Sequence, residues 1–69
     1  MKKIEFVKFL MNDCFGHCVM IGNTIYRYEE REQKENDVFY HFLNTRTLKN
    51  EVFSFSDSAL MKSEVILIF

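Results

Sequence analysis

Apolar residues recur at two different spacings along this chain, one helical and one typical of strands. Within residues 3–13, Ile4, Val7 and Met11 fall at i, i+3 and i+7, the spacing of an amphipathic helix. Ile4 and Phe6, one on each side of a glutamate, also fit the beginning of a strand. The length of the run favours a helix, and a strand remains the alternative.

From His17 onward the pattern becomes the alternation of a β-hairpin. Gly22 and Asn23 separate two apolar runs, and this dipeptide suits a two-residue turn with positive φ. Such a turn places Val19 opposite Tyr26. One predicted face then carries Val19, Ile21, Tyr26 and Tyr28, and the other carries Cys18, Met20, Ile25 and Arg27. Since neither face is polar, we expect both to be covered.

The middle of the chain predicts further strands around a polar segment. Residues 29–37 are all polar and predict a solvated hairpin loop, or strand ends fraying into one. Residues 38–43 form an aromatic strand with Val38, Tyr40 and Phe42 on one face. Residues 51–56 alternate with Phe53 and Phe55 inward. Ser56-Asp57-Ser58 then predicts the cap of a short turn, or of one helical turn, through Met61.

The C-terminal run 64–69 has five consecutive apolar residues after Glu64. A strand this apolar needs cover on both faces. The short connections along the chain favour antiparallel pairing. We therefore predict a single α+β domain over residues 1–69, with an N-terminal helix packed on a small, mainly antiparallel sheet of about five strands.

Composition and charge narrow the classes of partner. The 69 residues are 48% apolar with eight Phe and three Tyr, and the formal net charge is −1. Near-neutral charge with scattered Lys and Arg argues against duplex nucleic acid as a partner. No run approaches the roughly 20 apolar residues of a transmembrane helix, and residues 1–13 lack the apolar core of a signal peptide. These features predict a cytoplasmic protein with no membrane partner.

Cys14, His17 and Cys18 form the one cluster of metal-ligand residue types, with His41 as a possible fourth ligand. A structural zinc site needs four such ligands, and in a strand His17 and Cys18 would point to opposite faces. A Cys–His nucleophile would also need an orienting acid and an oxyanion pocket, and no motif suggests either. We predict reduced thiols, no metal, no cofactor and no catalytic residue.

Aromatic residues with polar groups are the candidates for ligand or partner binding. Such side chains can stack on a base and donate a hydrogen bond, and an arginine can meet a phosphate. Ordinary cross-strand packing of the rings is the alternative interpretation. The candidate residues are Tyr26, Arg27, Tyr28, Tyr40 and His41.

The predicted sheet has two apolar faces, and one helix can shield only one of them. This predicts self-association. A large exposed apolar patch is unusual on a monomer, and a two-fold dimer is the commonest closed solution. The predicted seam uses alternate residues of the last strand, either Val65, Leu67 and Phe69 or Ile66 and Ile68.

The chain is short, rich in Lys, Glu, Asn and Phe, and ordered with a helix first and strands after it. In these features it resembles small accessory proteins of phages that infect low-GC Gram-positive bacteria. It is distantly similar to the nucleotide-sponge family that blocks the Thoeris defence system. Gly16-His17-Cys18-Val19 stands where that family carries a basic residue with Trp, so no site residue is carried over.

The resemblance implies a phage or mobile-element setting, and with it the cytoplasm of the host cell. Together with the absence of a catalytic motif, it predicts a non-enzymatic protein that binds and modulates a host protein. The alternatives are a binder of nucleotide-like small molecules through the Tyr-rich hairpin, and a structural or assembly subunit.

Overall fold

A computed structural model describes residues 2–12 and 14–68 of the chain. These residues form one mainly antiparallel sheet of six strands with two short helices, which confirms the α+β class in outline. In chain order the elements are β1 (Lys2–Glu5), α1 (Phe6–Met11), β2 (Cys18–Ile21), β3 (Thr24–Lys34), β4 (Asp37–Asn44), β5 (Lys49–Ser54), α2 (Ser58–Met61) and β6 (Glu64–Ile68).

The described strands lie in the order β1-β6-β2-β3-β4-β5, and every neighbouring pair is antiparallel. Strand β6 has a neighbour on each side in the sheet, since it pairs with β1 along one edge and with β2 along the other. The prediction of about five strands is wrong by one, because the residues before α1 supply an additional edge strand.

The predicted helix over residues 3–13 is wrong in extent. Lys2–Glu5 pairs with β6, with Ile4 opposite Val65, and the helix occupies only Phe6–Met11. Both sequence patterns are therefore realised one after the other. Strand pairing satisfies the backbone of residues 2–5 and covers an edge of the apolar strand β6. The chain leaves the sheet where the Phe6 amide donates to the Ser63 carbonyl at 2.9 Å.

The hairpin of β2 and β3 has the predicted register. Val19 lies opposite Tyr26, and Ile21 lies opposite Thr24. Gly22 adopts φ +61° at the first position of the turn, a conformation that costs glycine little because it has no Cβ.

The polar run 29–37 is not a loop. β3 continues to Lys34 and β4 begins at Asp37, so only Glu35 and Asn36 form the turn. Cross-strand hydrogen bonds hold these polar residues in strands, with pairs from Glu30↔His41 to Lys34↔Asp37. The strand propensities of these polar residues gave little sign of a strand, because strand formation here depends on pairing with the neighbouring strand.

Phe55 also departs from its predicted position. β5 ends at Ser54, and Phe55 is 49% exposed, whereas Phe53 packs against the core as expected. The capped helical turn is confirmed, since the Asp57 carboxylate accepts from the Leu60 amide at 3.1 Å at the start of α2.

One side of the sheet, hereafter the inner face, is covered by α1 and α2. Phe6, Phe9 and Leu10 of α1 fall on one side of the helix and are all buried. Phe42 is the centre of an aromatic cluster, with ring centroids at 4.9 Å from Tyr28 and 5.6 Å from Phe6. The buried residues of this core are Phe6, Phe9, Leu10, Val19, Tyr28, Tyr40, Phe42, Met61 and Val65.

Candidate protein interaction surface

The opposite side of the sheet, hereafter the outer face, carries apolar side chains that belong to no part of the core. The pleat places every second residue of each strand there. Ile25 is 39% exposed and Val52 is 50% exposed. The apolar residues of this face are Cys18, Met20, Ile25, Phe39, Leu43, Val52, Ile66 and Ile68.

Strand register brings these residues together although they are far apart in sequence. Ile66 of β6 lies opposite Met20 of β2, which lies opposite Ile25 of β3. In the next row, Ile68 lies opposite Cys18. Part of the outer face is thus an apolar band that crosses the adjacent strands β6, β2 and β3. Arg27 lies between Cys18 and Leu43 and separates this band from Leu43.

A β-bulge decides which charged residues join this band. Tyr28 pairs with Phe42 and Glu30 pairs with His41, so Glu29 is an extra residue in β3. Without it, strict alternation would carry Glu30 onto the inner face beyond Tyr28. The bulge instead reverses the alternation and places the following glutamates beside His41 on the outer face.

Contacts between polar and charged side chains lie on this outer surface, including Lys34 Nζ–Glu32 Oε1 at 3.6 Å. Arg27 donates to both carboxylate oxygens of Glu29, with Nη2–Oε1 at 3.0 Å and Nε–Oε2 at 3.4 Å. That hydrogen bonding, together with the charge of Glu29, raises the pKa of Arg27. His41 Nε2 lies 3.1 Å from Glu32 Oε1. Both signs of charge therefore border the apolar band.

The five predicted ligand-binding residues do not share one surface. Tyr26, Tyr28 and Tyr40 point to the inner face, where Tyr28 is fully buried and Tyr40 is 7% exposed. Arg27 and His41 lie on the outer face. The structure therefore favours cross-strand packing for the three tyrosines, and a role for the five in binding a ligand stays a prediction.

The sequence analysis missed a polar group at the edge of the inner face. Asn44 is 8% exposed and donates through Nδ2 to Glu51 Oε2 at 2.9 Å. Tyr26 donates to the other oxygen of Glu51 at 3.2 Å. Burial, with the nearby charge of Glu51, raises the pKa of Tyr26. Asn44 Oδ1 also accepts from two amides of the following turn, a capping role typical of Asn.

The predicted seam residues of β6 divide between the faces. Val65 is 2% exposed in the core and Leu67 packs against it, whereas Ile66 and Ile68 lie on the outer face. Phe69 lies outside the described residues. Of the two alternative sets, the structure leaves Ile66 and Ile68 on the uncovered side.

The cysteines are free thiols on different sides of the molecule. Cys14 packs beside the core, and Cys18 belongs to the outer face. Within residues 2–12 and 14–68, no three His, Cys, Asp or Glu side chains are grouped closely enough to hold a metal ion.

A recess of about 590 Å³ lies at the tip of the β3–β4 hairpin. It is lined by Lys34, Glu35, Asn36, Asp37 and Phe39. None of the five residues predicted to bind a ligand lines it, so it gives those residues no shared cavity.

Comparisons with known proteins found no match: no family model fits the chain, and no curated protein or solved structure is significantly similar. In the part of the chain that the structure describes, neither helix has the length and apolar character needed to cross a membrane.

Proposed function

We propose that this chain is a small non-enzymatic binding protein whose outer face contacts another protein. One observation carries the proposal: both described helices cover the inner face, and the apolar band on the other side has no cover from the described residues. Exposed apolar patches of this kind typically mark interaction sites.

The chemistry of the face favours a protein over a small molecule. The band extends across three paired strands, whereas a small ligand usually occupies a single concave pocket. Apolar residues at the centre with charged residues around them, here Arg27, Glu29 and Glu32, are the usual arrangement of a protein interface.

The resemblance to phage accessory proteins supplies the biological setting of the proposal. In that setting the partner is a host protein, and binding inhibits or modulates it. A chain of 69 residues acts in this way by occupying a surface of its target.

The test is capture of a host protein that depends on the outer face. Tagged wild type is incubated with a lysate of a low-GC Gram-positive bacterium, next to the variants Ile25→Lys and Met11→Lys. Ile25 lies on the outer face, and Met11 is 75% exposed on α1. Met11→Lys therefore introduces the same charge away from the proposed surface.

A protein captured stoichiometrically by wild type and Met11→Lys, and lost with Ile25→Lys, supports the proposal. Equal capture by all three proteins, or no stoichiometric capture by wild type, contradicts it. A nucleotide that copurifies and absorbs at 260 nm would instead favour the small-molecule alternative.

A further inference from the structure

We propose that, when no target is bound, the outer face is closed by a second copy of this chain in a two-fold, sheet-on-sheet dimer. This inference rests on the proposed function, because it requires the outer face to be a protein-binding surface. The inference adds that a second copy of this chain occupies the outer face when no target is bound.

The size of the face suits such a dimer. Six strands spaced about 4.8 Å apart span roughly 24 Å between the outer two, which matches the second extent of the molecule, 24 Å. In sheet order the strands contain 4, 5, 4, 11, 8 and 6 residues. At about 3.3 Å per residue and about 4.8 Å between strands the face projects roughly 600 Å², the lower end of the ~600–1,000 Å² that each partner contributes to a stable interface.

The shape of the face suits a second sheet. Ile25, Ile66 and Ile68 are β-branched, and their strands β3 and β6 each pair with a neighbouring strand on both sides. An occupant therefore meets side chains only. Two sheets that pack face to face interdigitate such side chains at about 10 Å separation.

The charges of the outer face restrict how a second copy can dock. The strand register places more acidic than basic residues on this face, namely Glu5, Glu30, Glu32, Asp37 and Glu64 with Lys3, Arg27 and Lys34, so two copies must meet through the apolar band and keep the carboxylates at the rim. Arg27 and Glu29 place both signs next to the apolar band. In a two-fold interface each contact occurs twice with the roles exchanged, so a cation and an anion at one place can each meet the opposite charge.

The edges of the sheet are less suited to self-association. β1 carries Lys2, Lys3 and Glu5, and β5 begins with Lys49, and all four are exposed. Charged residues on edge strands, especially lysines, are a common device against edge-to-edge pairing. Association through the face is therefore favoured over extension of the sheet.

A consequence is that dimerisation and target binding exclude each other. Both use the band around Ile25, so a target must displace one copy from the other. Addition of a captured target should convert the dimer into a complex that contains one copy of this chain.

Sedimentation of the full chain tests the inference. At about 100 µM, where interfaces of micromolar Kd are filled, wild type and Met11→Lys should sediment with twice the mass of the chain. Ile25→Lys should sediment as a monomer and keep the circular dichroism spectrum of wild type. Its side chain is already 39% exposed in a single chain, so the fold tolerates the change.

Val52→Lys gives a second measurement should Ile25→Lys fail to fold. Val52 is 50% exposed and lies on the edge strand β5. The lysine charge should raise the Kd of the dimer by about tenfold or more, as expected for a contact inside an apolar interface. A monomeric wild type, or a folded Val52→Lys that dimerises as tightly as wild type, overturns the inference.

The two proposals fail in different ways. A monomeric wild type that still captures a host protein through Ile25 overturns the dimer and keeps the proposed function. A dimer that Ile25→Lys disrupts, with no host protein captured by wild type, keeps the dimer and removes the host target.

Discussion

The two faces of the sheet are built from the same strands and differ in what covers them. On the inner face, Val65 is 2% exposed and Phe42 is fully buried beneath α1 and α2. On the outer face, Ile25 is 39% exposed and Val52 is 50% exposed. Helices of six and four residues are too short to cover both sides. Apolar character alone therefore does not distinguish the covered face of the sheet from the uncovered one in this chain.

Polar side chains also differ between the two faces of the sheet. On the inner face, Asn44, Glu51 and Tyr26 bond one another inside the chain, as buried polar groups require. On the outer face, the Arg27 and Glu29 side chains of one ion pair remain 46% and 35% exposed. Exposed pairs contribute little to folding. The outer pair is thus expected to add little to the stability of the fold.

The largest expected effect separates neighbours on β6. Val65→Glu places a carboxylate in the core, which costs several kcal/mol, a large part of the ~5–15 kcal/mol that stabilises a typical domain. We expect this variant not to fold. Ile66→Glu places the same group on the outer face opposite Lys3, so we expect it to fold and to lose the dimer. Circular dichroism and sedimentation measure the two outcomes.

This pair has a built-in control, since both variants add the same charge one residue apart. If both unfold, the outer face is as essential to the monomer as the inner one. If Ile66→Glu stays dimeric, β6 does not contribute to the interface.

Prediction from sequence succeeded where local geometry decides the structure. Gly22 and Asn23 fix the turn, and the turn fixes which residues face each other from Val19 to Tyr26. Because the side-chain period of a strand is two, the faces follow once the register is set. The apolar character of the outer residues of this hairpin was predicted for the same reason.

Prediction failed where distant partners decide the structure. Lys2–Glu5 becomes a strand because β6 has an open edge, and β6 lies at the far end of the sequence. The bulge at Glu29 depends on β4 and moves the glutamates to the outer face. Asn44 and Glu51 meet only because β4 and β5 pair, so their hydrogen bond had no signal in the sequence.

A smaller effect concerns Leu48, an exposed apolar residue that is not on the outer face. It is 73% exposed in the β4–β5 turn and adopts φ +61°, a conformation that costs non-glycine residues about 1 kcal/mol or more. Leu48→Gly relieves this cost of about 1–2 kcal/mol and adds an entropic cost of about 0.5–1 kcal/mol for glycine. It should therefore raise the free energy of unfolding by up to about 1 kcal/mol and leave self-association unchanged.

Leu48→Ala is the matched control, because it removes the exposed side chain without relieving the backbone. Urea unfolding should rank the glycine variant above both the alanine variant and wild type. Equal stability of the two variants would mean that the left-handed conformation costs nothing here, and a weaker dimer in both would extend the interface to this turn.

The smallest effect is the acid dependence of an outer-face carboxylate. The Asp37 Oδ2 accepts from the Ser54 hydroxyl at 2.5 Å, and this bond, followed by one from Ser56, lowers the pKa of Asp37. A carboxyl group with a lowered pKa in the folded state stabilises the protein above its unfolded pKa of about 4. That contribution is lost as pH falls through the folded pKa.

Asp37→Asn should therefore be less stable than wild type at neutral pH, and the difference in the free energy of unfolding should shrink toward pH 3. Urea unfolding at both pH values measures it, with Glu35→Gln as the control for losing one negative charge at the same turn. A difference that persists unchanged at low pH would show that Asp37 acts through its shape and not through its charge.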